Sequence, residues 1–290
     1  MKSCVLDIGS NTIRAVVFEI IGGNFDKVYN KGIKSMLFDY TADGKLTQPG
    51  MDGLSAVISE LCSLTADYGC SYHAFATSAF RDLINQQEVI DYISDKNGIK
   101  IHVFSGDEEA ECDYLGICGE IGAVNGIGID LGGGSCQLLS FSEKGLTKAL
   151  SLPLGTSRLK RRFVSGSLPT GEEGQRIYDY VLKEIASFAK ADNSSMFAMG
   201  GSARAALAVK RTLCADMHAD CISSEELGEF VEFSKTAGGE AFLKSVVKNR
   251  YDTVVVGMII MSAIADYAGA DYIKILDCGV RDGYVRKYLI

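Results

Sequence analysis

The amino-acid sequence predicts an α/β protein made of two similar halves that face each other across a cleft. Apolar runs with strand character alternate with amphipathic helical segments along the chain. The 290 residues suffice for about two domains, each with its own core. A strand that ends in Asp and leads into a glycine-rich turn occurs twice, at Asp7 and at Asp130, and the separation of 123 residues is close to one domain length.

The composition excludes several classes of protein. Hydrophobic residues make up 47% of the chain and charged residues 23%, as in globular rather than disordered proteins. With 37 acidic against 29 basic residues and a net charge of -8, we expect no broad basic surface for nucleic acid or for a membrane. An anionic ligand must therefore be bound by a local group of basic residues.

The sequence also favours the cytoplasm. The longest apolar run, residues 254–265, has 12 residues, fewer than the ~20 that span a bilayer. The N-terminal segment reaches Asp7 before it could form the apolar core of a signal peptide. Nine cysteines, an odd number without a CxxC pair, are expected to be thiols in a reducing compartment.

In the first half, hydrophobic periodicity and glycine turns predict a strand meander followed by alternating helices and strands. The predicted strands are residues 3–8, 13–21, 25–38, 73–76 and 100–104. Leu54 and Ile58 recur on one face of a predicted helix, residues 51–68. A further helix ends near Lys96, and an acidic segment from Asp107 begins the next one.

The second half repeats this order after a boundary near Gly122. Its predicted strands are residues 126–131, 136–141, 196–199 and 272–276. Its predicted helices are residues 172–190, 224–235 and 254–267, one that opens at Gly200-Gly201-Ser202, and a short C-terminal one. We therefore assign residues 1–122 to domain I and residues 123–279 to domain II, with residues 280–290 packing back on domain I.

Both glycine-rich turns have the composition of phosphate-binding loops. Glycine lets backbone N–H groups approach phosphate oxygens, and an Asp beside those phosphates requires a hard divalent cation between the two charges. One copy alone would favour a plain hairpin turn with Asp as the turn former. Two copies a domain length apart favour phosphate loops, at Gly9-Ser10-Asn11 and at Gly132-Gly133-Gly134-Ser135.

An acidic segment that follows Ser105 places Asp107, Glu108, Glu109 and Glu111 near the start of a predicted helix. These acids either face water, where they complement the helix dipole, or one of them points into the cleft as a general base for water. The sequence leaves both interpretations open.

A third glycine pair, Gly200-Gly201, precedes Ser202 and Arg204. It fits a plain strand-to-helix turn as well as a helix N-terminus and a guanidinium that share one anion. Basic residues suited to a polyanion are dispersed along the chain: Arg14, Arg81, Arg158, Lys160, Arg161, Arg162, Arg204 and Arg281.

Taken in order, these segments resemble the exopolyphosphatase/guanosine pentaphosphate phosphohydrolase (Ppx/GppA phosphatase) family of the actin-like ATPase superfamily, in its short two-domain branch. They span nearly the whole chain. The matching segments are DIGSNTIR (7–14), ATSAFRDLIN (76–85), SGDEEAECDYLGI (105–117), GIDLGGGS (128–135), SLPLGTSRL (151–159), GGSARA (200–205) and DCGVRDG (277–283).

The resemblance implies an α/β fold of two actin-like (ribonuclease H-like) domains flanking a central cleft. It implies an exopolyphosphatase, which hydrolyses the terminal phosphate of inorganic polyphosphate, of short chains in this branch, with Mg²⁺ or another divalent cation. The alternatives are a guanosine pentaphosphate (pppGpp) phosphohydrolase and a weakly catalytic protein that binds polyphosphate or the alarmone. No nucleic-acid or membrane partner is implied, and a homodimer is compatible with the family.

The resemblance also assigns roles to residues. Glu109 resembles the base that orients or deprotonates water, and its neighbour Glu108 is the second catalytic candidate. Asp7, Asp130 and Gln137 resemble the metal ligands, although Gln137 stands where the family usually carries Glu. The phosphate-binding candidates are Gly9, Ser10, Asn11, Arg14, Arg81, Gly132, Gly133, Gly134, Ser135, Gly201, Ser202 and Arg204.

Overall fold

The computed structural model describes residues 1–35, 37–188 and 195–290. The predicted strand 25–38 and the predicted helix 172–190 both extend onto positions outside these residues.

Two compact units make up the chain. The first unit comprises Met1–Glu109 together with Tyr284–Ile290, and the second comprises Ala110–Gly283. The chain passes from the first unit to the second inside the helix that begins at Gly106, whereas the sequence places the domain boundary after this helix, near Gly122.

The first unit is built on a five-stranded sheet of order β3-β2-β1-β6-β7, in which β1 runs antiparallel to β2 and parallel to β6. Its strands are β1 (Lys2–Ile8), β2 (Thr12–Ile21), β3 (Asn24–Lys34), the short pair β4 (Thr41–Ala42) and β5 (Lys45–Leu46), β6 (Ser71–Ala76) and β7 (Ile101–Val103). Its helices are α1 (Gln48–Thr65), α2 (Ser78–Arg81), α3 (Gln86–Asn97) and the first residues of α4 (Gly106–Ile121).

Helix α1 covers this sheet with the face that the sequence predicts. Leu54 and Ile58 are buried in one core with Leu6 and Ile8 of β1. Pro49 lies in the first turn of α1, where a missing N–H removes no intrahelical hydrogen bond. The third strand ends at Lys34, before the end of the predicted run, and a 3₁₀ helix follows at Leu37–Tyr40.

The second unit is built on a six-stranded sheet of order β10-β9-β8-β11-β13-β12. Its strands are β8 (Gly126–Leu131), β9 (Cys136–Ser142), β10 (Gly145–Leu152), β11 (Ser195–Met199), β12 (Cys221–Ser223) and β13 (Tyr272–Ile275). Its helices, besides the rest of α4, are α5 (Thr156–Phe163), α6 (Gly171–Ile185), α7 (Gly201–Leu213), α8 (Ser224–Ser234), α9 (Gly239–Val247), α10 (Tyr251–Ala268) and the start of α11 (Val280–Tyr288).

Helix α10 is the central core helix of the second unit. Every residue from Thr253 to Met261 is buried. By length and composition alone the segment Gly239–Ala268 could span a membrane, but 67% of its apolar 18-residue stretch, whose mean hydropathy is 1.3, is buried inside the protein. This burial is what a core helix shows.

The two sheets have the same topology around their first strands. In each unit the first three strands form an antiparallel meander, and a later strand pairs in parallel with the first one. The register repeats as well, because Asp7 pairs with Arg14 and Asp130 pairs with Gln137, both at an offset of 123 residues. The predicted α/β fold with two similar halves is confirmed.

Candidate active site

The loop of the first unit is held in shape by its own backbone. The N–H of Gly9 donates to the carbonyl of Thr12 at 3.2 Å, which closes the turn between β1 and β2. The carbonyls of Ser10 and Asn11 accept hydrogen bonds from Leu37 and Ser35 at 3.0 and 3.1 Å. These carbonyls are therefore occupied by the segment that follows β3.

Asp7 and Arg14 are cross-strand partners at the base of this loop. The Arg14 Nη1 donates to Asn30 Oδ1 at 2.5 Å. The guanidinium lies against Gly32 of β3, where an added Cβ would come within 2.9 Å of Nη2. The absence of a side chain at Gly32 thus leaves room for Arg14 beside the loop.

The loop of the second unit repeats the same turn. The N–H of Gly132 donates to the carbonyl of Ser135 at 3.1 Å, the counterpart of the Gly9 bond in the first unit. The carbonyl of Gly132 accepts from the N–H of Thr156 at 3.0 Å, and that of Gly133 accepts from the N–H groups of Ser157 and Arg158 at 3.0 and 3.1 Å. The start of α5 therefore packs on the carbonyl side of this loop.

Gln137 is buried opposite Asp130, and only one of its two polar side-chain atoms is hydrogen-bonded. Its Nε2 donates to Ser151 Oγ at 3.1 Å and lies 3.5 Å from Ser135 Oγ. Its Oε1 is buried and has no hydrogen-bond partner in the described part of the chain. Because buried polar atoms are nearly always paired, an unpaired carbonyl here indicates a place for an additional donor or cation.

The third glycine pair lies beside Asp130. Gly200 has φ +94°, a conformation that L side chains rarely adopt, and an added Cβ would come within 2.4 Å of Asp130 Oδ1. Ser202 is buried, with its Oγ 3.4 Å from Thr156 Oγ1. Arg204 Nη1 donates to the carbonyl of Cys278 at 3.3 Å.

Three arginines of the second unit share one electrostatic environment. Burial lowers the pKa of Arg204 and of Arg250, and at both residues the positive charge of Arg281 lowers the pKa further. The charge of Asp130 acts in the opposite direction on Arg204. The guanidinium of Arg250 lies against Gly201, where an added Cβ would come within 2.3 Å of Nη2.

Arg250 is a residue that the sequence analysis missed. It ends a 3₁₀ turn, Lys248–Arg250, between α9 and α10, and neither a glycine pattern nor a periodicity marks it. Arg14, Arg204 and Arg281, by contrast, lie within recognisable motifs. Two basic residues of α5 are engaged elsewhere, since Lys160 pairs with Asp252 at 2.7 Å and Arg162 lies over the ring of Tyr180.

The adjacent residues Glu108 and Glu109 have different environments at the start of α4. Ser105 and Glu108 form a reciprocal capping box at the start of α4, with bonds of 3.0 and 3.1 Å, and His102 Nε2 lies 3.2 Å from the Glu108 carboxylate. The serine bonds lower the pKa of Glu108. Glu109 is buried instead, with Oε2 2.6 Å from Arg81 Nη1.

Arg81 joins this carboxylate to the backbone. Its Nη1 also donates to the carbonyl of Phe104 at 3.0 Å, at the end of β7. The sequence predicts Arg81 as a phosphate ligand, and in the structure its guanidinium contacts the Glu109 carboxylate.

This fold and these glycine-rich loops indicate an enzyme that acts on phosphate groups. The chain belongs to the Ppx/GppA phosphatase family, whose model matches residues 16–289. The family and the enzyme class, a hydrolase of phosphoanhydride bonds, are therefore confirmed.

Individual relatives cover the whole chain. Exopolyphosphatase 1 of Mycobacterium tuberculosis is 26% identical over 309 aligned positions, which include 100% of this chain and 88% of the relative. An exopolyphosphatase structure from Cytophaga hutchinsonii has a TM-score of 0.86 at 18% identity and covers 100% of this chain and 98% of that one. A family member from Aquifex aeolicus has a TM-score of 0.83 at 20% identity, with 100% and 97% coverage. The two structures show the same fold.

Proposed function

We propose that this chain is an exopolyphosphatase that releases the terminal phosphate of short inorganic polyphosphate. The main support is the grouping of Arg204, Arg250 and Arg281 in the second unit, which also carries the glycine loop 132–135. Several guanidinium groups and loop amides suit a chain of phosphates better than a single one. This local basic group accounts for a polyanionic substrate in a protein with a net charge of -8.

In the proposed reaction Glu109 is the base that orients or deprotonates the attacking water. Its carboxylate is held by Arg81, so that it occupies one orientation before substrate binds. Glu108 serves the helix cap and stabilises the turn that carries Glu109. Water then attacks the terminal phosphorus, and the shortened polyphosphate leaves.

The residues suit a divalent cation that arrives with the phosphates. Among the described residues, no group of three or more His, Cys, Asp or Glu side chains could hold a metal ion. Mg²⁺ is commonly bound through one or two carboxylates together with substrate phosphates. In the second unit, Asp130 and the unpaired Gln137 Oε1 would hold it. When bound, Mg²⁺ neutralises charge on the phosphate oxygens.

Gln137 favours a second candidate function, a polyphosphate- or alarmone-binding protein with little turnover. An amide supplies no negative charge to a metal ion, so a cation bound here is attracted less strongly than by a carboxylate.

For both candidate functions we place the protein in the cytoplasm, in keeping with nine cysteines that are all free thiols.

Phosphate release from tripolyphosphate, from long polyphosphate and from guanosine pentaphosphate, measured in parallel, tests this proposal. We expect the highest kcat/KM with tripolyphosphate in Mg²⁺ and loss of activity in chelator. A preference for guanosine pentaphosphate would assign the alternative substrate. Tight binding of tripolyphosphate without release in any condition would identify the binding protein.

A further inference from the structure

The first turn of α5 donates hydrogen bonds to the carbonyl groups of the glycine loop 132–134. Backbone N–H groups of α5 bond the carbonyls of Gly132 and Gly133, as described above. The third carbonyl, that of Gly134, accepts a hydrogen bond from the side chain of Arg158, whose Nε donates at 2.8 Å. Three successive carbonyls of the loop are thus held by one element.

This contact fixes where the N–H groups of the loop point. A trans peptide is planar, and its C=O and N–H point in opposite directions. Holding the carbonyls of Gly132, Gly133 and Gly134 on the α5 side therefore directs the next three N–H groups, which end with that of Ser135, to the opposite side. A row of N–H groups with a common direction is an anion-binding arrangement.

The approach of the two backbones leaves no space for a side chain at Gly155. An added Cβ there would lie 2.3 Å from the carbonyl carbon of Gly134 and 2.4 Å from the carbonyl oxygen of Gly133. Gly155 precedes α5 directly, so any larger residue must push the loop and the helix start apart.

We propose that Arg158 is a positioning residue for the phosphate loop. It holds the loop through the hydrogen bond of its Nε to Gly134 and not through its positive charge. The inference rests on the proposed function, since it takes the loop to bind phosphate. It separates Arg158 from the arginines that contact the polyanion by charge, a group in which the sequence alone would place it.

Two substitutions of Arg158 separate the hydrogen bond from the charge. In Gln the amide nitrogen lies the same number of bonds from Cα as Nε does in Arg, so Arg158→Gln keeps a donor for Gly134 and removes the charge. Arg158→Lys keeps the charge and has a methylene at that place. The matched control is Arg162→Gln, which removes a charge from the same helix, where the guanidinium lies over the ring of Tyr180.

The measurements are the Kd of tripolyphosphate in Mg²⁺, kcat and KM, and hydrogen exchange of the backbone amides of residues 132–135. We expect Arg158→Lys to weaken binding about tenfold, the effect of one hydrogen bond to a charged donor, and to raise loop exchange. We expect Arg158→Gln and Arg162→Gln to stay within about twofold of wild type in Kd at moderate salt. Gly155→Ala should raise loop exchange as Arg158→Lys does.

The opposite order, with Arg158→Lys like wild type and Arg158→Gln impaired, would show that the charge acts and would overturn the inference. Equal exchange of the loop amides in all variants would overturn the inference as well. This holds even if one of the variants is less stable than wild type. If the wild-type protein does not bind tripolyphosphate at all, the proposed function itself fails, which the wild-type titration shows before any variant is made.

Discussion

Glu109 Oε2 lies 2.6 Å from Nη1 of Arg81, and the same Nη1 donates to the carbonyl of Phe104. The carboxylate is buried, while the guanidinium side chain is 22% exposed. Arg81 therefore links the candidate base to the end of β7, and the position of each of the two side chains depends on the other.

Removing the cation of this pair should destabilise the first unit. Arg81→Met leaves the Glu109 carboxylate buried beside an apolar group, and we expect a loss of about 2 to 3 kcal/mol in the free energy of unfolding. Adding Glu109→Gln in the same chain removes the buried carboxylate charge that lay beside Arg81 and should recover about half of that loss. Urea unfolding of the two single variants and the double variant measures the coupling. Strict additivity would contradict a paired arrangement.

Arg250 should contribute to polyphosphate binding although no motif marks it. Arg250→Met removes one of three neighbouring guanidinium groups, and we expect tripolyphosphate to bind about tenfold more weakly, with a shallower dependence of Kd on salt. Lys248→Met is the matched control, because it removes a positive charge from the same 3₁₀ turn at an exposed position. Equal effects of the two substitutions would show that only the net charge matters.

Gln137→Glu tests the unpaired carbonyl opposite Asp130. A buried carboxylate at this position, opposite the half-buried Asp130, should lower the thermal midpoint in chelator by about 3 °C or more, since the two charges repel each other. Mg²⁺ together with tripolyphosphate should raise the midpoint of the variant more than that of wild type. The same midpoint shift in both proteins would mean that residue 137 does not face the cation.

The rate of the same variant distinguishes the two candidate functions. A large gain in phosphate release by Gln137→Glu would support a wild-type protein that mainly binds polyphosphate. An unchanged and substantial wild-type rate would argue for an enzyme that works with an amide at this position.

Acid should destabilise the second unit through Glu173. Hydrogen bonds from the backbone of Thr170 and Ser165 lower the pKa of Glu173 to about 2, from an ordinary value of 4.5. Since the folded protein has the lower pKa, the contribution to stability is complete above about pH 4.5 and is lost as the pH falls towards 2. Glu173→Gln should flatten the pH dependence of the unfolding midpoint in this window. An unchanged slope would contradict the assigned bonds.

Much of the fold could be predicted from the sequence because its signals are local. The glycine turns after Asp7 and Asp130 mark strand ends, and the spacing of Leu54 and Ile58 marks the buried face of α1. The repeated strand register, with Arg14 and Gln137 in equivalent positions, follows from the duplication that the sequence indicates.

The rest depends on contacts between distant segments. Arg250 approaches Gly201 across 49 positions of sequence, and nothing near Arg250 indicates that approach. The different roles of Glu108 and Glu109 depend on Arg81 and on the Ser105 cap. The spacing of Ser105 and Glu108 is a local signal of a capping box and could have separated the two acids.

The central claim is that Glu109 acts on water while other groups bind the phosphates. Its most direct test combines phosphate release from tripolyphosphate with calorimetric binding of tripolyphosphate by the Glu109→Gln variant, with Glu111→Gln, an exposed acid of the same helix, as the control. We predict that Glu109→Gln abolishes release and binds within about threefold of wild type, because an amide keeps the shape of the carboxylate but cannot accept a proton. Equal turnover by Glu109→Gln and wild type would remove Glu109 from the mechanism and contradict the account.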